Sequence, residues 1–336
     1  MAEASPITLS IVVPVFDRPD EVDELLASLC AQTEAPHEVI IVEDGSQRPA
    51  DEVVARYRDR LPLIYHSKPN SGPGPSRNDG FARSTGSHVL FLDSDCVLPP
   101  GYIAAMRTSI AADPADAFGG PDRADEASTP LQKAIDHAMT SFLTTGGIRG
   151  GRRSMEQFHP RSFNMGVKRE VFSELRGFSP MRFGEDIDLS IRILRAGLRT
   201  SLYPDAYVYH RRRTDLRRFF KQVHNSGIAR INLHKRHPGS LKAVHTLPAL
   251  FTLGSLAMAT WAIRCSPWWL LPNALFALAL LIDASLRTRN VLVGMLAMVA
   301  GHVQLFGYGT GFLRGVWRRI ILGRPEFHAY AKNFYR

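Results

Sequence analysis

Apolar, strand-like runs recur along the first hundred residues, and acidic side chains follow them. The runs at 7–16, 37–46 and 88–95 are rich in Val, Ile, Leu and Phe, and helix-like segments lie between them. Strand alternating with helix predicts an α/β fold with a mostly parallel sheet flanked by helices. Ligands of such sheets bind beyond the carboxyl ends of the strands. The acidic residues at these predicted ends are Asp17, Glu43, Asp44, Asp93 and Asp95.

The stretch "LFLDSD", residues 90–95, places two carboxylates one residue apart at a strand end. Such an Asp-x-Asp pair suits Mg²⁺ or Mn²⁺, which prefer oxygen ligands and are commonly shared with substrate phosphates. Asp and Ser are also frequent in turns, so the triplet by itself favours a plain turn over a metal site. The series of acidic strand ends strengthens the metal hypothesis.

The charge and the cysteine content predict anionic partners and a reducing compartment. The 336 residues carry a formal net charge of +9, which favours nucleic acid, phospholipid headgroups or phosphorylated substrates. Cys30, Cys96 and Cys265 are too few and too scattered for a disulfide framework or a zinc site. The first residues lack the pattern of a signal peptide, so we expect the first domain to stay in the cytoplasm.

A basic stretch follows the regular part of the chain. From Arg211 to His237, Arg and Lys interleave with apolar side chains. The pattern predicts basic amphipathic helices over 211–242 that lie on an anionic membrane surface. Nucleic-acid binding has the same charge signature, but the apolar segments that follow favour lipid, and we expect no nucleic-acid partner.

The last hundred residues are much more apolar than the rest and contain three apolar segments, at 246–263, 267–283 and 291–313. Only the third clearly reaches the roughly 20 residues that cross a bilayer; the second is short and flanked by Trp268 and Trp269. We expect a membrane region over 243–336 rather than a buried helical domain. Three full crossings would put "RGVWRRIILGR" outside, against the positive-inside rule, so one segment is re-entrant or interfacial or the rule fails.

Four stretches together resemble the inverting nucleotide-sugar glycosyltransferases of family 2, which have the Rossmann-like GT-A fold. They are "SIVVPVFDRPDEVDELLASLCAQT", "EVIIVEDGS", "NSGPGPSRNDGFARSTGSHVLFLDSD" and "FGEDIDLSIRILRAG". The resemblance covers roughly residues 8–210 and implies a GT-A domain over 1–210. A weaker similarity links the apolar tail to membrane-bound members that extend exopolysaccharide or cell-envelope glycans.

The resemblance implies a donor site and a cation, Mg²⁺ or Mn²⁺. Pro14 and Asp17 end the first strand, and Asp17 would lie beside the base and ribose of a nucleotide-sugar donor, expected to be UDP-linked. The remaining implied contacts are Asp44 to the base, Arg77 and Asn78 to the nucleotide or diphosphate, Asp93 to the ribose or sugar, and Asp95 to the metal. His210 matches a position that supplies a further metal ligand in many relatives, although a solvated histidine in a basic run fits equally well.

An inverting transfer also needs a base that takes the proton of the attacking hydroxyl. In "GEDIDLSIRILRAG" the resemblance singles out Asp186 as this base and Glu185 as a residue that positions the acceptor, while Asp188 is expected to cap the turn or pair with Arg192. Acidic residues in a first helical turn are also favoured by the helix dipole alone. Asn164 resembles the segment that frames the acceptor cleft, and a plain turn fits it as well.

These features predict a glycosyltransferase at the inner cell membrane, with its catalytic domain in the cytoplasm and a lipid-linked or glycan acceptor. A transferase acting directly on polyprenyl phosphate would need no base, because that acceptor is already an anion. A membrane adaptor that retained the fold without the chemistry is a third hypothesis, and the intact set of acidic residues argues against it.

Overall fold

The computed structural model describes residues 6–123, 128–146, 158–210 and 215–326. The chain divides into two compact units. Residues 6–123 and 158–210 build the first, and residues 128–146 and 215–326 build the second. The first is an α/β unit and the second is helical.

A seven-stranded sheet forms the centre of the first unit. In chain order its strands are β1 (Leu9–Val15), β2 (Glu38–Asp44), β3 (Leu63–Lys68), β4 (His88–Leu92), β6 (Ala117–Gly119), β8 (Asn164–Lys168) and β9 (Thr200–Leu202). Their spatial order is β3-β2-β1-β4-β8-β6-β9. Strands β1 to β4 pair in parallel, and β8 runs antiparallel to both of its neighbours. The predicted mostly parallel sheet is confirmed.

A second, three-stranded sheet lies beside the acidic turn that follows β4. Its strands are β5 (Cys96–Val97), β7 (Asp122–Arg123) and β10 (Val208–His210), in the order β5-β10-β7. The antiparallel register of β10 on β5 pairs His210 with Cys96. Two residues that are 114 positions apart in sequence are thereby brought together next to Asp95.

Helices cover both faces of the large sheet. They are α1 (Pro19–Cys30), α2 (Asp51–Ala55), α3 (Pro73–Arg83), α4 (Tyr102–Ala112), α7 (Arg169–Glu174) and α8 (Glu185–Arg195). Alternating residues of β1 point into two different apolar clusters: Ile11 and Val13 pack with Leu25 of α1, and Val12 packs with Phe172 of α7 and other residues of the opposite cluster. Because β1 and β2 are buried on both faces, their sequences read as continuous apolar runs rather than alternating ones.

The second unit consists of helices. They are α5 (Pro130–Thr140), α6 (Phe142–Thr145), α9 (Leu216–Arg236), α10 (Leu247–Arg264), α11 (Leu271–Thr288) and α12 (Val291–Gly315), with a π-helical turn over Val316–Ile321. Among the described residues, three helices are long and apolar enough to cross a membrane: Leu247–Arg264, Pro267–Thr288 and Val291–Ile321. The expectation that the second segment is short was wrong, because the helix continues to Thr288. Its one acidic residue, Asp283, is paired with Arg287 one turn later.

Two features of the second unit differ from the sequence interpretation. Helix α5 lies within the range predicted for the GT-A domain, but Ile135 and Ala138 of α5 pack with Phe219 of α9 and Ala300 of α12. The apolar face of α9, expected to meet lipid, is covered by α12 over much of its length, including Phe219 and Val223. The interfacial position of α9 stays a prediction that rests on its basic side chains.

Candidate active site

The carboxylate of Asp17 joins the ends of the first two strands. Asp17 lies two residues beyond β1 with a φ of 53°, a left-handed conformation that Asp tolerates better than most residues. Its Oδ1 accepts hydrogen bonds from the backbone N–H groups of Gln47 (2.6 Å) and Arg48 (3.0 Å). The parallel pairing of β1 and β2 brings this loop beside Asp17. The side chain thus ties the loop after β2 to the end of β1, and its contact with a nucleotide base stays a prediction.

Asp44, at the end of β2, is fully buried and holds the turn between β3 and α3. One oxygen accepts from Lys68 Nζ (2.6 Å) and the N–H of Ser71 (2.8 Å), and the other accepts from the N–H of Gly72 (2.8 Å). These contacts give Asp44 a structural role in that turn, and its contact with the nucleotide base stays a prediction. Pro14 is half-buried inside β1, where its backbone pairs with Val42.

The acidic turn after β4 is tied to two arginines. Arg77 donates to Asp93 Oδ1 at 2.6 Å, and Arg18 donates to Asp95 Oδ2 at 2.7 Å. The Asp93 side chain is 32% exposed and that of Asp95 is 11% exposed, so Asp93 is the more open of the two. Arg18 directly follows Asp17, and its guanidinium links the end of β1 to the end of β4.

Arg77 is buried and connects the acidic turn to the start of α8. Besides Asp93, its guanidinium pairs with Glu185 Oε1 at 3.0 Å and lies 5.5 Å from the ring centroid of Phe178. Because the side chain is only 4% exposed, its charge is compensated almost entirely by these two carboxylates. The structure places the guanidinium of Arg77 between Asp93 and Glu185, and its contact with the donor stays a prediction.

Asn78, also predicted at the donor, is engaged elsewhere. Its Nδ2 donates to the carbonyl of Phe178 (2.9 Å), and its Oδ1 accepts from the N–H of the same residue (2.8 Å). This two-sided pairing anchors the segment before α8 to α3. The contacts are those of a structural residue, and donor contact stays a prediction.

The first turn of α8 holds two buried carboxylates in different electrostatic surroundings. Burial disfavours the charge of Asp186, but the Arg161 guanidinium, at 2.8 Å, and the N–H groups of Ile187 and Ser162 outweigh it and lower its pKa. For Glu185, burial and the neighbouring Asp186 charge prevail over Arg77 and raise the pKa. Asp186 is therefore the more strongly ionised of the two at neutral pH.

The other acidic residue of this turn has a structural partner. Asp188 Oδ2 accepts from Arg192 Nε at 2.9 Å, one turn along the same helix. Arg192 also donates to the carbonyls of Leu175 and Gly177, so it fastens α8 to the loop after α7. The predicted pairing of Asp188 with Arg192 is confirmed.

Asn164 lies at the start of β8 and is buried. Its Oδ1 accepts from the Tyr102 hydroxyl (2.7 Å), and its Nδ2 donates to the carbonyl of Ala206 (2.9 Å). A Cβ on Gly120 would lie 1.7 Å from that same carbonyl, so glycine is needed there for close backbone approach. These contacts are structural, and the acceptor role of Asn164 stays a prediction.

The predicted metal ligands lie close together along the backbone. Asp95 immediately precedes Cys96, which pairs with His210 across the small sheet. The side chain of His210 lies outside the part of the chain that the structure describes. The described residues contain no group of three or more His, Cys, Asp or Glu side chains arranged around a common point. Mg²⁺ and Mn²⁺ are commonly bound by one or two carboxylates together with substrate phosphates, and Asp95 offers a carboxylate of this kind.

Two site residues escaped the sequence interpretation, Arg18 and Arg161. The signal for Arg18 was its position next to Asp17 at a predicted strand end. Arg161 belongs to the irregular segment before β8, and no local pattern connects it with α8.

The chain resembles known proteins over the α/β unit in particular. Residues 10–176 match the model of glycosyl transferase family 2. They form a family 2 glycosyltransferase domain. The predicted family is confirmed over these residues.

Two curated relatives illustrate the range of similarity. The pre-mycofactocin glycosyltransferase of Mycobacterium tuberculosis is 28% identical over 314 residues, which are 92% of this chain and 62% of the relative. An uncharacterized glycosyltransferase of Haemophilus influenzae is 42% identical over 195 residues, 56% of this chain and 62% of the relative. The matched regions thus span about 62% of the length of either relative.

Among solved structures, the fold is similar to that of a mannosyltransferase from Pyrobaculum calidifontis in complex with GDP-Man and Mn²⁺. The TM-score is 0.61 at 19% identity, and the match covers 87% of this chain and 86% of the other. At this identity the likeness establishes the fold alone.

Proposed function

We propose that the chain is an inverting glycosyltransferase that moves a sugar from a nucleotide-sugar donor to a hydroxyl of a lipid-linked or cell-envelope glycan acceptor. The main support for the proposal is that Arg77 pairs with two groups of acidic residues at once. One group is the turn after β4 and the other is the first turn of α8. One set faces the end of the sheet where a donor would bind, and the other offers a base.

The donor side would use Asp17, Asp93 and Asp95. Asp95, with His210, would hold a divalent cation, and when bound this cation neutralises the charge that develops on the departing diphosphate. Arg18 lies 2.7 Å from Asp95 and adds positive charge at the same place. Asp93 is the more exposed acid of the turn and would orient the ribose or sugar. We expect a UDP-sugar, while the structural neighbour was solved with GDP-Man.

The acceptor side would use Asp186 as the base. Arg161 and two backbone N–H groups keep Asp186 ionised, so the carboxylate is ready to accept a proton from the attacking hydroxyl. Attack on the side of the sugar opposite to the leaving diphosphate inverts the anomeric centre. Glu185, protonated more readily, would position the acceptor by a hydrogen bond.

Two variants test the division between donor and acceptor sides. Asp186→Asn should lower kcat by about 100-fold or more, the usual contribution of a base, while the Kd for the nucleotide sugar stays within a few-fold of wild type. Asp95→Asn should instead weaken Mn²⁺-dependent donor binding. Binding is measured by calorimetry against a panel of UDP-, GDP- and dTDP-sugars, and transfer by release of the nucleoside diphosphate.

Three outcomes count against the proposal. Full transfer by Asp186→Asn would favour an anionic acceptor such as polyprenyl phosphate, which needs no base. Equal losses of donor affinity and rate in that variant would remove the base role. Absence of donor binding and hydrolysis with either Mg²⁺ or Mn²⁺ would favour an adaptor without catalytic activity.

The membrane helices fit an acceptor that is itself held in a membrane. We propose the inner cell membrane as the site of action, with the catalytic unit on the cytoplasmic side, where nucleotide sugars are made. Anionic lipids would neutralise the basic face of α9.

A further inference from the structure

The helical unit contains three helices long enough to cross a membrane, and α12 is the most buried of the three. In the most apolar 18-residue windows, 39% of α12 is buried, against 17% of α10 and 11% of the segment that contains α11. Large apolar side chains such as Leu250, Leu256, Leu275 and Leu278 are exposed along α10 and α11. Burial of α12 therefore comes from neighbours within the unit rather than from lipid.

Helix α9 runs parallel to the second half of α12 in constant register. Val223 lies against Gly307, Gly227 against Gly311 and Ile231 against Gly315, and Lys235 Nζ donates to the carbonyl of Arg319 at 3.0 Å. Each of these pairs is separated by 84 residues in sequence. A constant offset over about three turns means that the two helix axes remain side by side.

The register sets basic side chains of α9 level with the middle of α12. By the same offset, Arg217 and Arg218 lie level with residues 301 and 302, and Lys221 lies level with residue 305. All three are exposed. If α12 crossed a bilayer, these charges would stand near the middle of the hydrocarbon layer, where Lys and Arg are strongly disfavoured.

The first half of α12 is accompanied by α5. Ala134 of α5 packs with Val293 and Ala297 of α12, and Ile135 and Ala138 pack with Ala300. Helix α5 also carries Lys133, Asp136 and His137 on the same turns. Polar helices thus border both halves of α12, and too little of its length remains free of them to span a bilayer.

Helices α10 and α11, in contrast, form an antiparallel hairpin. Phe251 lies beside Phe276 (5.2 Å between ring centroids), Ser255 Oγ is 3.1 Å from Asn273 Oδ1, and Trp261 lies beside Trp269 (6.1 Å). The residue numbers of the partners in α11 and the turn before it therefore decrease as those in α10 increase, which is the pattern of antiparallel helices. Trp261, Trp268 and Trp269 gather at the tip, as expected of aromatic residues at a membrane–water interface.

We propose that only the α10–α11 hairpin crosses the membrane, and that α12 lies along the membrane surface between α5 and α9 on the side from which the hairpin enters. The partner of the exposed hairpin face is then a lipid bilayer. Each hairpin helix has 18 residues, about 27 Å at 1.5 Å per residue, close to the hydrocarbon thickness.

The distribution of charge is an independent argument. Arg264 is the only Lys or Arg between Leu247 and Leu286, so the hairpin tip carries one positive charge. The basic residues that flank α12 are Arg287, Arg289, Arg314, Arg318, Arg319 and Arg324. Two crossings place all six on the side of the basic helix α9, whereas three crossings divide them, against the positive-inside rule.

Cysteine labelling tests the arrangement, since the native Cys265 is exposed at the hairpin tip. Sealed membrane vesicles that hold the full-length chain are treated from outside with a membrane-impermeant maleimide. In the Cys265→Ala background, Glu52→Cys reports the catalytic unit and Arg324→Cys reports the end of α12; both positions are exposed. We expect Glu52→Cys and Arg324→Cys to label in vesicles of one orientation, and Cys265 to label in the other.

Either of two results overturns the proposal. Labelling of Arg324→Cys together with Cys265 would mean that α12 crosses the membrane. Labelling of Cys265 together with Glu52→Cys would mean that the hairpin returns without crossing. Detergent should expose all three positions equally, and the Cys265→Ala parent measures labelling of Cys30, which is half-buried, and Cys96, which is buried.

Discussion

At the scale of single residues, the site depends on the buried guanidinium of Arg77, which lies between two carboxylates. Arg77 has its Asp93 and Glu185 partners at 2.6 and 3.0 Å, and it lies in the apolar surroundings of Phe178. A buried ion pair contributes little net stability compared with apolar packing, but loss of one partner leaves the other charge without compensation. The three side chains are therefore energetically one unit.

Replacement of Arg77 by Met should consequently destabilise the α/β unit by about 3–5 kcal/mol, because the buried Glu185 and the partly buried Asp93 then lose the positive charge that they share. Arg56→Met is the matched control: Arg56 pairs with Asp23 at 3.2 Å but is 60% exposed, so the expected change is below about 1 kcal/mol. Thermal unfolding followed by circular dichroism measures both. Equal stabilities of the two variants would contradict the bridging role.

The pH dependence of transfer distinguishes the two carboxylates of α8. A base must be deprotonated, so activity falls as the pH drops through its pKa. Because the pKa of Asp186 is lowered, kcat should stay level down to about pH 4, below which Asp side chains ordinarily protonate. Glu185, whose pKa is raised, would give a fall at higher pH. A fall in kcat that begins at a pH above the ordinary carboxyl range, and that is absent from Glu185→Gln, would assign the base to Glu185.

At the scale of elements, glycines decide how closely α9 and α12 approach. A Cβ at Gly311 would lie 2.0 Å from the carbonyl oxygen of His224. Because this oxygen belongs to the backbone, it cannot move aside by a change of side-chain rotamer. Gly254 in α10 has open space at the same position. Of these two glycines in helix interiors, Gly311 has no room for a Cβ and Gly254 has room for one.

Gly311→Ala should force the two helices apart and lower the stability of the helical unit by about 1–3 kcal/mol. Gly254→Ala, by the same change of side chain, should be neutral or should stabilise by up to about 1 kcal/mol, since alanine is the better helix former. Unfolding temperatures in detergent measure the pair. A loss of stability in both variants would mean that the contact with His224 is not the cause.

Most elements of the α/β unit could be predicted because their signals are local. The run of β4 and its acidic turn are read directly from "LFLDSD", and the apolar spacing of α1 indicates its buried face. Arg161 could not be predicted: its approach to Asp186 depends on packing of an irregular segment, such as the hydrogen bond of Ser190 to the carbonyl of Pro160 (3.1 Å). The buried positions of Arg77 and Asn78 depend on Phe178, a hundred residues away.

At the scale of the whole molecule, the two units differ in the kind of side chain that they bury and expose. The α/β unit buries charged side chains such as Arg77, Glu185 and Asp186, while α10 and α11 expose leucines to what we propose is lipid. The net charge of +9 is thus combined with an apolar hairpin, a distribution typical of proteins held at anionic membranes.

A charge in the hairpin should loosen this attachment. Leu278→Arg, at a position 49% exposed in α11, adds about 2.5–3.5 kcal/mol to the free energy of membrane insertion and should lower the carbonate-resistant membrane fraction. Leu202→Arg makes the same change at a site 39% exposed in the α/β unit and should leave that fraction unchanged. Equal membrane fractions for Leu278→Arg and wild type would argue against lipid contact at this position.

The constant offset between α9 and α12 also has a consequence for synthesis on the ribosome. The apolar face of α9 emerges 84 residues before the glycines that cover it. At about 5–20 residues per second, it waits roughly 4–17 s without its partner. During that interval the side of α9 that later meets α12, including Val223, is open to chaperones or to the membrane surface, so the helix that ends as an internal contact begins as a partly exposed nascent segment.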